Sequence, residues 1–148
     1  MRYLSKPEST LGLFAAHHLP SLQIKGGTPV SEDCSDANTT IQELIDLVAA
    51  FRDARDWARF HSPKNLSMAI AIEAAELMEC FQWIEADESQ AQMLQPEARQ
   101  AVAAELADVL AYCFSLASIT GLDITTALRN KMAANAAKYP IEQFRGRF

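Results

Sequence analysis

Two pairs of acidic residues interrupt stretches of the sequence that are otherwise apolar. Glu73 and Glu76 lie three residues apart within "AIAIEAAELMECFQW", and Glu105 and Asp108 have the same spacing within "AVAAELADVLAYCF". Residues three apart on a helix share a face. A carboxylate that is buried without a partner is strongly unfavourable or takes up a proton. The two pairs therefore predict a compensating positive charge close to these acids.

A divalent metal ion supplies that charge if the two helices pack side by side, since four carboxylates in one small volume otherwise repel. Mg²⁺ prefers oxygen ligands, with waters and substrate phosphates completing its coordination. A di-iron or di-manganese bundle instead requires Glu-x-x-His pairs, which neither segment offers. A single Glu-x-x-Glu is common on solvated helix faces, so the prediction depends on finding two. The predicted Mg²⁺ ligands, with Mn²⁺ as a substitute metal, are Glu73, Glu76, Glu105 and Asp108.

Four helices must position these acids. Apolar residues recur at helical spacing, and no segment alternates with period two strongly enough to predict a strand, so the predicted fold class is all-α. Thr40 and Glu43 form a capping box, Gly121 is typical of a helix C-terminus, and Asp123 is typical of an N-cap. The predicted helices run from Thr40 to near Phe60, from about Lys64 or Asn65 to Ile84, from Pro96 to Thr120, and from Asp123 to Lys138.

The composition divides the chain into three parts. Residues 1–38 contain most of the glycine and half of the proline, which predicts a flexible N-terminal arm. Residues 39–140 form the predicted helical domain, and residues 141–148 form a C-terminal tail. The 148 residues suffice for one domain with an ordinary core.

Charge and cysteine content exclude several classes of protein. The net charge of -6, without a cluster of Lys and Arg before the last few residues, argues against a nucleic-acid polymer as partner. Three scattered cysteines predict reduced thiols. No apolar run of about 18 residues lacks a charge, which argues against a membrane span. The N-terminus does not resemble an export signal, so a cytoplasmic location is expected.

Several motifs occur together in an order that resembles a known family. The segments "FRDARDWARFHSPKNLSMAIAIEAAELMECFQW", "AELADVLAYCF" and "KMAANAAKYP" are similar to the MazG-like all-α nucleoside triphosphate pyrophosphatases, in their dCTP pyrophosphatase branch, over roughly residues 41–140. The resemblance implies a four-helix MazG-like bundle that is completed by oligomerisation to a dimer or tetramer. Many relatives have a further acid where Ile72 stands here, so the number of metal ions stays open.

The same resemblance implies an activity. It is the Mg²⁺-dependent cleavage of a deoxynucleoside triphosphate, with dCTP or a modified dCTP as the best guess, to a monophosphate and pyrophosphate. Such an enzyme removes unwanted nucleotides from the cellular pool. One carboxylate of the four would take the proton of the attacking water, and the sequence does not say which one.

Further residues are predicted to contact the nucleotide. Trp83 lies two turns after Glu76, on about the same helix face, and Tyr112 lies one turn after Asp108, so both could continue the acidic stripe into an aromatic pocket. By spacing alone both are typical core aromatics, and the resemblance favours the pocket. The predicted base contacts are Trp57, His61, Trp83 and Tyr112, and the loop before the second helix adds Lys64 and Asn65. The C-terminal element, whose lysines otherwise indicate only a solvated face, adds Lys131, Asn135, Lys138 and Tyr139.

The main alternative is a non-catalytic helical module for oligomerisation or interaction. In that hypothesis the acids form ion pairs across an interface with Arg52, Arg55 and Arg59. Mg²⁺ distinguishes the two hypotheses, because a ligand that binds only the folded state raises its thermal midpoint.

Overall fold

The computed structural model describes residues 34–147, and within them every regular element is a helix. The all-α prediction is therefore confirmed for this part of the chain. The elements in order are α1 (Ile41–Asp53), a 3-10 turn (Ala58–Phe60), α2 (Pro63–Glu79), α3 (Ser89–Gln92), α4 (Pro96–Thr120), α5 (Ile124–Lys138) and α6 (Ile141–Phe144).

The predicted caps at the starts of α1 and α5 are present with their hydrogen bonds. At α1, the Glu43 N–H donates to Thr40 Oγ1 at 3.2 Å, and the Thr40 N–H donates to Glu43 Oε2 at 2.7 Å, which completes a capping box. At α5, Asp123 Oδ1 accepts from the Thr126 N–H at 2.6 Å. These bonds lower the pKa of both the Glu43 and the Asp123 carboxyl. Gly121 ends α4 in the left-handed conformation, with φ 66°.

Two predicted helix ends were wrong. The first helix ends at Asp53 rather than near Phe60, and α2 ends at Glu79 rather than at Ile84. After α2 the chain turns more tightly, because the N–H groups of residues 81, 82 and 84 all bond to carbonyls three residues earlier. The Cys80 carbonyl, which would bond to residue 84 in a longer helix, accepts from Gln92 Nε2 at 3.3 Å.

Helix α4 is the centre of the fold. It packs most extensively against α2 and also against α1, whereas α5 packs only sparsely on the rest of the described chain. Within residues 34–147 the buried residues are few: Leu66 on α2 and Ser115 and Ala117 on α4. One chain thus contains a small core formed by α1, α2 and α4.

The structure describes only part of the predicted N-terminal arm and shows a short helix in the predicted C-terminal tail. The predicted arm lies outside the described residues except for residues 34–38. Within the predicted tail, Ile141–Phe144 is a short helix, and the Phe144 ring contacts the Tyr139 ring edge to face at a centroid distance of 5.2 Å.

Helix α4 is long and apolar enough to cross a membrane when judged by length and composition alone, and it is the one such helix among the residues described. The core helix of a soluble protein passes the same test. Because α4 carries Glu105 and Asp108 and packs against two other helices, this is weak evidence for a span.

Candidate active site

Helices α2 and α4 bring three of the four predicted metal ligands together. Glu73 and Glu76 lie one turn apart on α2, and Glu105 faces them from α4. One carboxylate oxygen from each lies within 4.8 Å of the others, and all three side chains are half-buried. Oxygens that share one Mg²⁺ ion at its usual bond length of about 2.1 Å are about 3 to 4 Å apart. Small side-chain adjustments would therefore allow all three residues to bind one ion.

The chemistry of this group of three carboxylates, the acid cluster, fits a hard divalent cation. Its donors are all carboxylate oxygens, which Mg²⁺ and Mn²⁺ prefer, and it contains no histidine nitrogen or cysteine sulfur. Like charges this close repel one another, and a cation bound between them would offset that repulsion by accepting their oxygens as ligands.

Asp108, the fourth predicted ligand, lies beside the acid cluster but outside the group of three. It is exposed and one turn beyond Glu105 on α4. Tyr112 follows one turn later. Burial, and then the negative charges of Glu73 and Asp108, raise the pKa of the Tyr112 hydroxyl, which therefore stays protonated at neutral pH. The tyrosine thus lies close to acids from both helices, as the sequence predicted.

The predicted placement of Trp83 on the helix face of Glu76 was wrong. Helix α2 ends four residues before Trp83, so helical spacing does not relate this side chain to Glu76. The indole is 89% exposed, in the tight turns that follow the helix. An indole is a large apolar group that is usually highly buried in folded proteins. Among the large apolar side chains of the described residues, Trp83 is the most exposed.

Trp57 is held at the other end of α2, in the loop that joins it to α1. Its ring packs edge to face on Phe51, with a centroid distance of 5.9 Å. The Arg55 guanidinium lies 3.5 Å from the centroid of the same Phe51 ring. Asp56 adopts a left-handed backbone with φ 52°. The sequence did not predict this left-handed turn at Asp56. The one local signal for it is that Asp tolerates a left-handed backbone better than most residues other than glycine.

His61 and Asn65 both use their side chains to hold this loop. His61 Nδ1 lies 2.8 Å from the Trp57 carbonyl oxygen, and Asn65 Nδ2 donates to the Phe60 carbonyl at 2.9 Å. Asn65 also occupies the first turn of α2, where its N–H donates to Ser62 Oγ at 3.2 Å. Lys64 beside it is exposed. The side chains of His61 and Asn65, which the sequence predicted as nucleotide contacts, thus have partners within the protein.

The four predicted base contacts do not form one pocket within a single chain. Helix α2 has 17 residues, which at 1.5 Å per residue gives a length of about 25 Å. Trp57 and His61 precede this helix, whereas Trp83 follows it. One pyrimidine ring is far too small to touch both ends of α2.

The predicted C-terminal contacts lie on α5 and just after it. Lys131 and Lys138 are exposed, Asn135 is half-buried, and the Lys138 ammonium lies 5.1 Å from the centroid of the Tyr139 ring. Helix α5 packs only sparsely on the other described helices.

The arginines required by the interaction-module hypothesis have partners elsewhere. Arg52 Nε bonds to Asp53 Oδ1 at 2.7 Å. Arg55 Nη1 donates to the Phe51 carbonyl at 2.9 Å. Arg59 lies over the ring of the adjacent phenylalanine. Each of the three thus has a local contact within or beside its own helix.

Comparison with known proteins gives consistent matches. The model of the MazG-like family matches residues 68–147. The chain is 40% identical over 107 residues to dCTP pyrophosphatase 1 of Rattus norvegicus, covering 72% of this chain and 63% of that protein. The Homo sapiens protein of the same name is 40% identical over 101 residues, covering 68% of this chain and 59% of that protein. The chain thus spans a little under two thirds of the length of these relatives.

A solved structure shows the same fold. The crystal structure of a pyrophosphatase from Archaeoglobus fulgidus superimposes with a TM-score of 0.63 at 39% sequence identity, covering 68% of this chain and 92% of that one. The family match includes α4 and α5 and most of α2, and so contains all four predicted acidic ligands. The chain belongs to the MazG-like family.

Proposed function

We propose that this protein is a Mg²⁺-dependent nucleoside triphosphate pyrophosphohydrolase, with Mn²⁺ as a substitute metal. The observation that carries the proposal is the convergence of the oxygens of Glu73, Glu76 and Glu105 within 4.8 Å, in a chain of the MazG-like family. The relatives named dCTP pyrophosphatase 1 favour dCTP or a modified dCTP as substrate. The cellular role would be removal of unwanted nucleotides from the pool.

The acids of the two helices would supply most of the catalytic groups. Glu73, Glu76, Glu105 and Asp108 would hold the metal, which when bound neutralises phosphate charge and polarises the bond between the α- and β-phosphates. Water adds across that bond, and the products are a nucleoside monophosphate and pyrophosphate. A carboxylate of the four takes the proton of the attacking water. Positioning and charge neutralisation suffice for this chemistry, so a covalent nucleophile is not required.

The remaining predicted contacts would bind the rest of the nucleotide. Tyr112, close to Glu73 and Asp108, would contact the base of a nucleotide whose phosphates are held at the acid cluster. The exposed lysines on α5 carry the charge that phosphate oxygens attract. The indoles of Trp57 and Trp83 offer flat faces on which a base can stack.

A second copy of the chain would complete the site. Trp57 and Trp83 lie at opposite ends of α2, and α5, which carries the predicted C-terminal contacts, packs only sparsely on its own chain. Both observations fit a homodimer or homotetramer in which one bound nucleotide contacts two chains. The exposed apolar side chains of α2, α4 and α5 supply surface for such an assembly.

The direct test is a screen of the nucleoside triphosphates with the purified protein. We expect dCTP or a 5-substituted dCTP to be cleaved to dCMP or its analogue and pyrophosphate, separated by ion-exchange chromatography, and we expect a metal chelator to abolish the reaction. Release of orthophosphate from the γ position, or activity that persists with the chelator, would contradict the proposal.

A matched pair of variants on α2 ties the activity to the acid cluster. Glu73→Gln removes one charge from the cluster, whereas Glu79→Gln removes the same charge from the exposed last turn of the helix. Loss of pyrophosphate release in the first variant alone supports the assignment. Equal activity in the two variants would refute it.

A further inference from the structure

The loop of residues 54–62, here called the Trp57 loop, is held by two side chains: that of His61, within the loop, and that of Asn65, in the first turn of α2. His61 Nδ1 lies 2.8 Å from the Trp57 carbonyl oxygen, and Asn65 Nδ2 donates to the Phe60 carbonyl oxygen at 2.9 Å. The Trp57 N–H donates to the Arg52 carbonyl at 3.2 Å. The backbone of Trp57 is therefore held on both sides, by its N–H and by its carbonyl.

The contact with Trp57 fixes the tautomer of His61. A carbonyl oxygen only accepts hydrogen bonds, so Nδ1 must carry the hydrogen. The bond made by this histidine is thus directed at the protein backbone, and only Nε2 is left for another partner. The same Trp57 carbonyl also accepts from the Phe60 N–H at 2.9 Å. The indole carried by this backbone packs edge to face on Phe51.

We propose that His61 and Asn65 are positioning residues. They fix the backbone of the Trp57 loop so that the indole is presented to the base, and they act on the nucleotide through Trp57 instead of touching it. The link to the nucleotide rests on the proposed function. The effect on Trp57 is independent of that function and can be measured on the protein alone.

Two substitutions of His61 separate positioning from direct contact. The amide nitrogen of asparagine occupies nearly the place of Nδ1, whereas that of glutamine occupies nearly the place of Nε2. His61→Asn therefore keeps the bond to the Trp57 carbonyl, and His61→Gln keeps only the group that could face a ligand. Asn65→Asp gives a companion variant, because it puts an acceptor against the Phe60 carbonyl.

Activity is the first readout. We expect His61→Gln and Asn65→Asp to raise KM about ten-fold, the effect of one lost hydrogen bond at the upper end of its usual range. The value of kcat should change little, since stacking on the base acts alike in the ground state and the transition state. The His61→Asn variant should stay within about three-fold of the wild type.

Tryptophan fluorescence is the second readout and needs no nucleotide. The chain has two tryptophans, so in a Trp83→Phe background, used for fluorescence only, the emission comes from Trp57. We expect His61→Gln to shift this emission to longer wavelength and to increase its quenching by acrylamide. His61→Asn should leave both unchanged. Thermal midpoints and circular dichroism verify that each variant is folded.

The outcomes separate the hypotheses. Normal kinetics in His61→Gln with a raised KM in His61→Asn would assign a direct contact through Nε2 and overturn the proposal. Equal behaviour of the two variants, whether impaired or normal, would also overturn it. If the wild type cleaves no nucleoside triphosphate, the proposed function fails, and the fluorescence of Trp57 alone decides whether His61 positions it.

Discussion

The spacing of the acids is informative because of their surroundings. Glu73 and Glu76 lie on a helix whose neighbouring residues are largely apolar, and each remains half-buried in the folded chain. One oxygen of each lies within 4.8 Å of an oxygen of Glu105, and like charges this close repel one another in the apo protein. Removing a charge from the acid cluster should therefore affect metal binding and apo stability in opposite directions.

The first prediction follows from that opposition. Glu73→Gln and Asp108→Asn should abolish Mg²⁺-dependent pyrophosphate release, because each weakens metal binding. The apo Glu73→Gln variant, which removes a charge from the acid cluster, should be at least as stable as the wild type. The thermal midpoint of the wild type should rise with Mg²⁺ concentration, and that of each variant should rise less. Near-normal turnover in both variants would exclude these residues as metal ligands.

The second prediction concerns Trp83, whose indole is 89% exposed in one chain. Stacking on a base is worth about 1 to 3 kcal/mol by alanine substitution. Trp83→Ala should therefore lower kcat/KM for dCTP by roughly ten-fold to a hundred-fold, with the Mg²⁺-induced rise in thermal midpoint preserved. Leu94→Ala is the control, since Leu94 is almost as exposed, at 82%, in the same connection between α2 and α4. An unchanged kcat/KM in Trp83→Ala would remove this residue from the site.

At the scale of the elements, the helix starts could be predicted from the sequence and two of the ends could not. The start of α1 at Thr40 and the end of α4 at Gly121 depend on local chemistry, a side-chain cap and a residue that tolerates positive φ. The ends after Asp53 and Glu79 lack such a signal, because Ala54 and Cys80 keep right-handed helical dihedral angles. Bonds from distant or irregular segments decide those ends.

In the candidate site, too, the features set by local helical spacing could be predicted and those set by irregular segments could not. Helical spacing correctly placed Glu105 opposite the pair on α2, because periodicity within a regular helix is local. Spacing failed for Trp83, because the helix stops before it. The bonds of His61 and Asn65 to the Trp57 loop depend on the loop's conformation, which composition does not encode.

The third prediction tests the cap of α1. Thr40→Ala removes the oxygen that accepts the Glu43 N–H, and it should lower the free energy of unfolding by about 1 kcal/mol. Thr40→Ser keeps a hydroxyl and should be within a few tenths of a kcal/mol of the wild type. Urea unfolding measures both. An unchanged midpoint in Thr40→Ala would mean that the N-terminal cap of α1 contributes little to stability.

The fourth prediction concerns the pH dependence of the same cap. Hydrogen bonds from the Thr40 backbone and side chain lower the pKa of Glu43 below its ordinary value of 4.5. The ionised carboxylate therefore stabilises the folded state above pH 4.5, and that contribution is lost as pH falls through the lowered pKa. The difference in thermal midpoint between wild type and Glu43→Gln should shrink below pH 4.5. A difference that stayed constant from pH 6 to pH 3 would contradict the linkage.

At the scale of the whole molecule, the chain exposes more apolar surface than a small monomer usually does. Leu66 and Ala117 are the only apolar residues that are buried among those described, whereas large side chains on three long helices are about half exposed. These include Met68 and Ile72 on α2, Leu106 and Leu110 on α4, and Leu128 and Met132 on α5. Each pair is spaced four residues apart and so forms a stripe on its helix. Continuous apolar stripes of this kind mark interfaces.

The fifth prediction is therefore a homo-oligomer. Light scattering on the purified protein at micromolar concentration should give a multiple of 16.3 kDa, with a dimer or tetramer expected. Because α5 packs sparsely on its own chain, its stripe is available to a second copy. The double variant Leu128→Glu and Met132→Glu should then reduce the mass, since charges buried at an interface are unfavourable.

The control for that experiment adds the same two charges to the opposite face of α5. Asn130→Glu and Ala134→Glu are also four residues apart and exposed, and they should leave the assembly intact. A monomer mass for the wild type would refute oligomerisation, and equal masses for the two double variants would remove the α5 stripe from the interface. If a second copy completes the site, the dissociated variant should also lose kcat/KM for dCTP even though its acid cluster is unaltered. The assembly and the chemistry would then depend on the same helix.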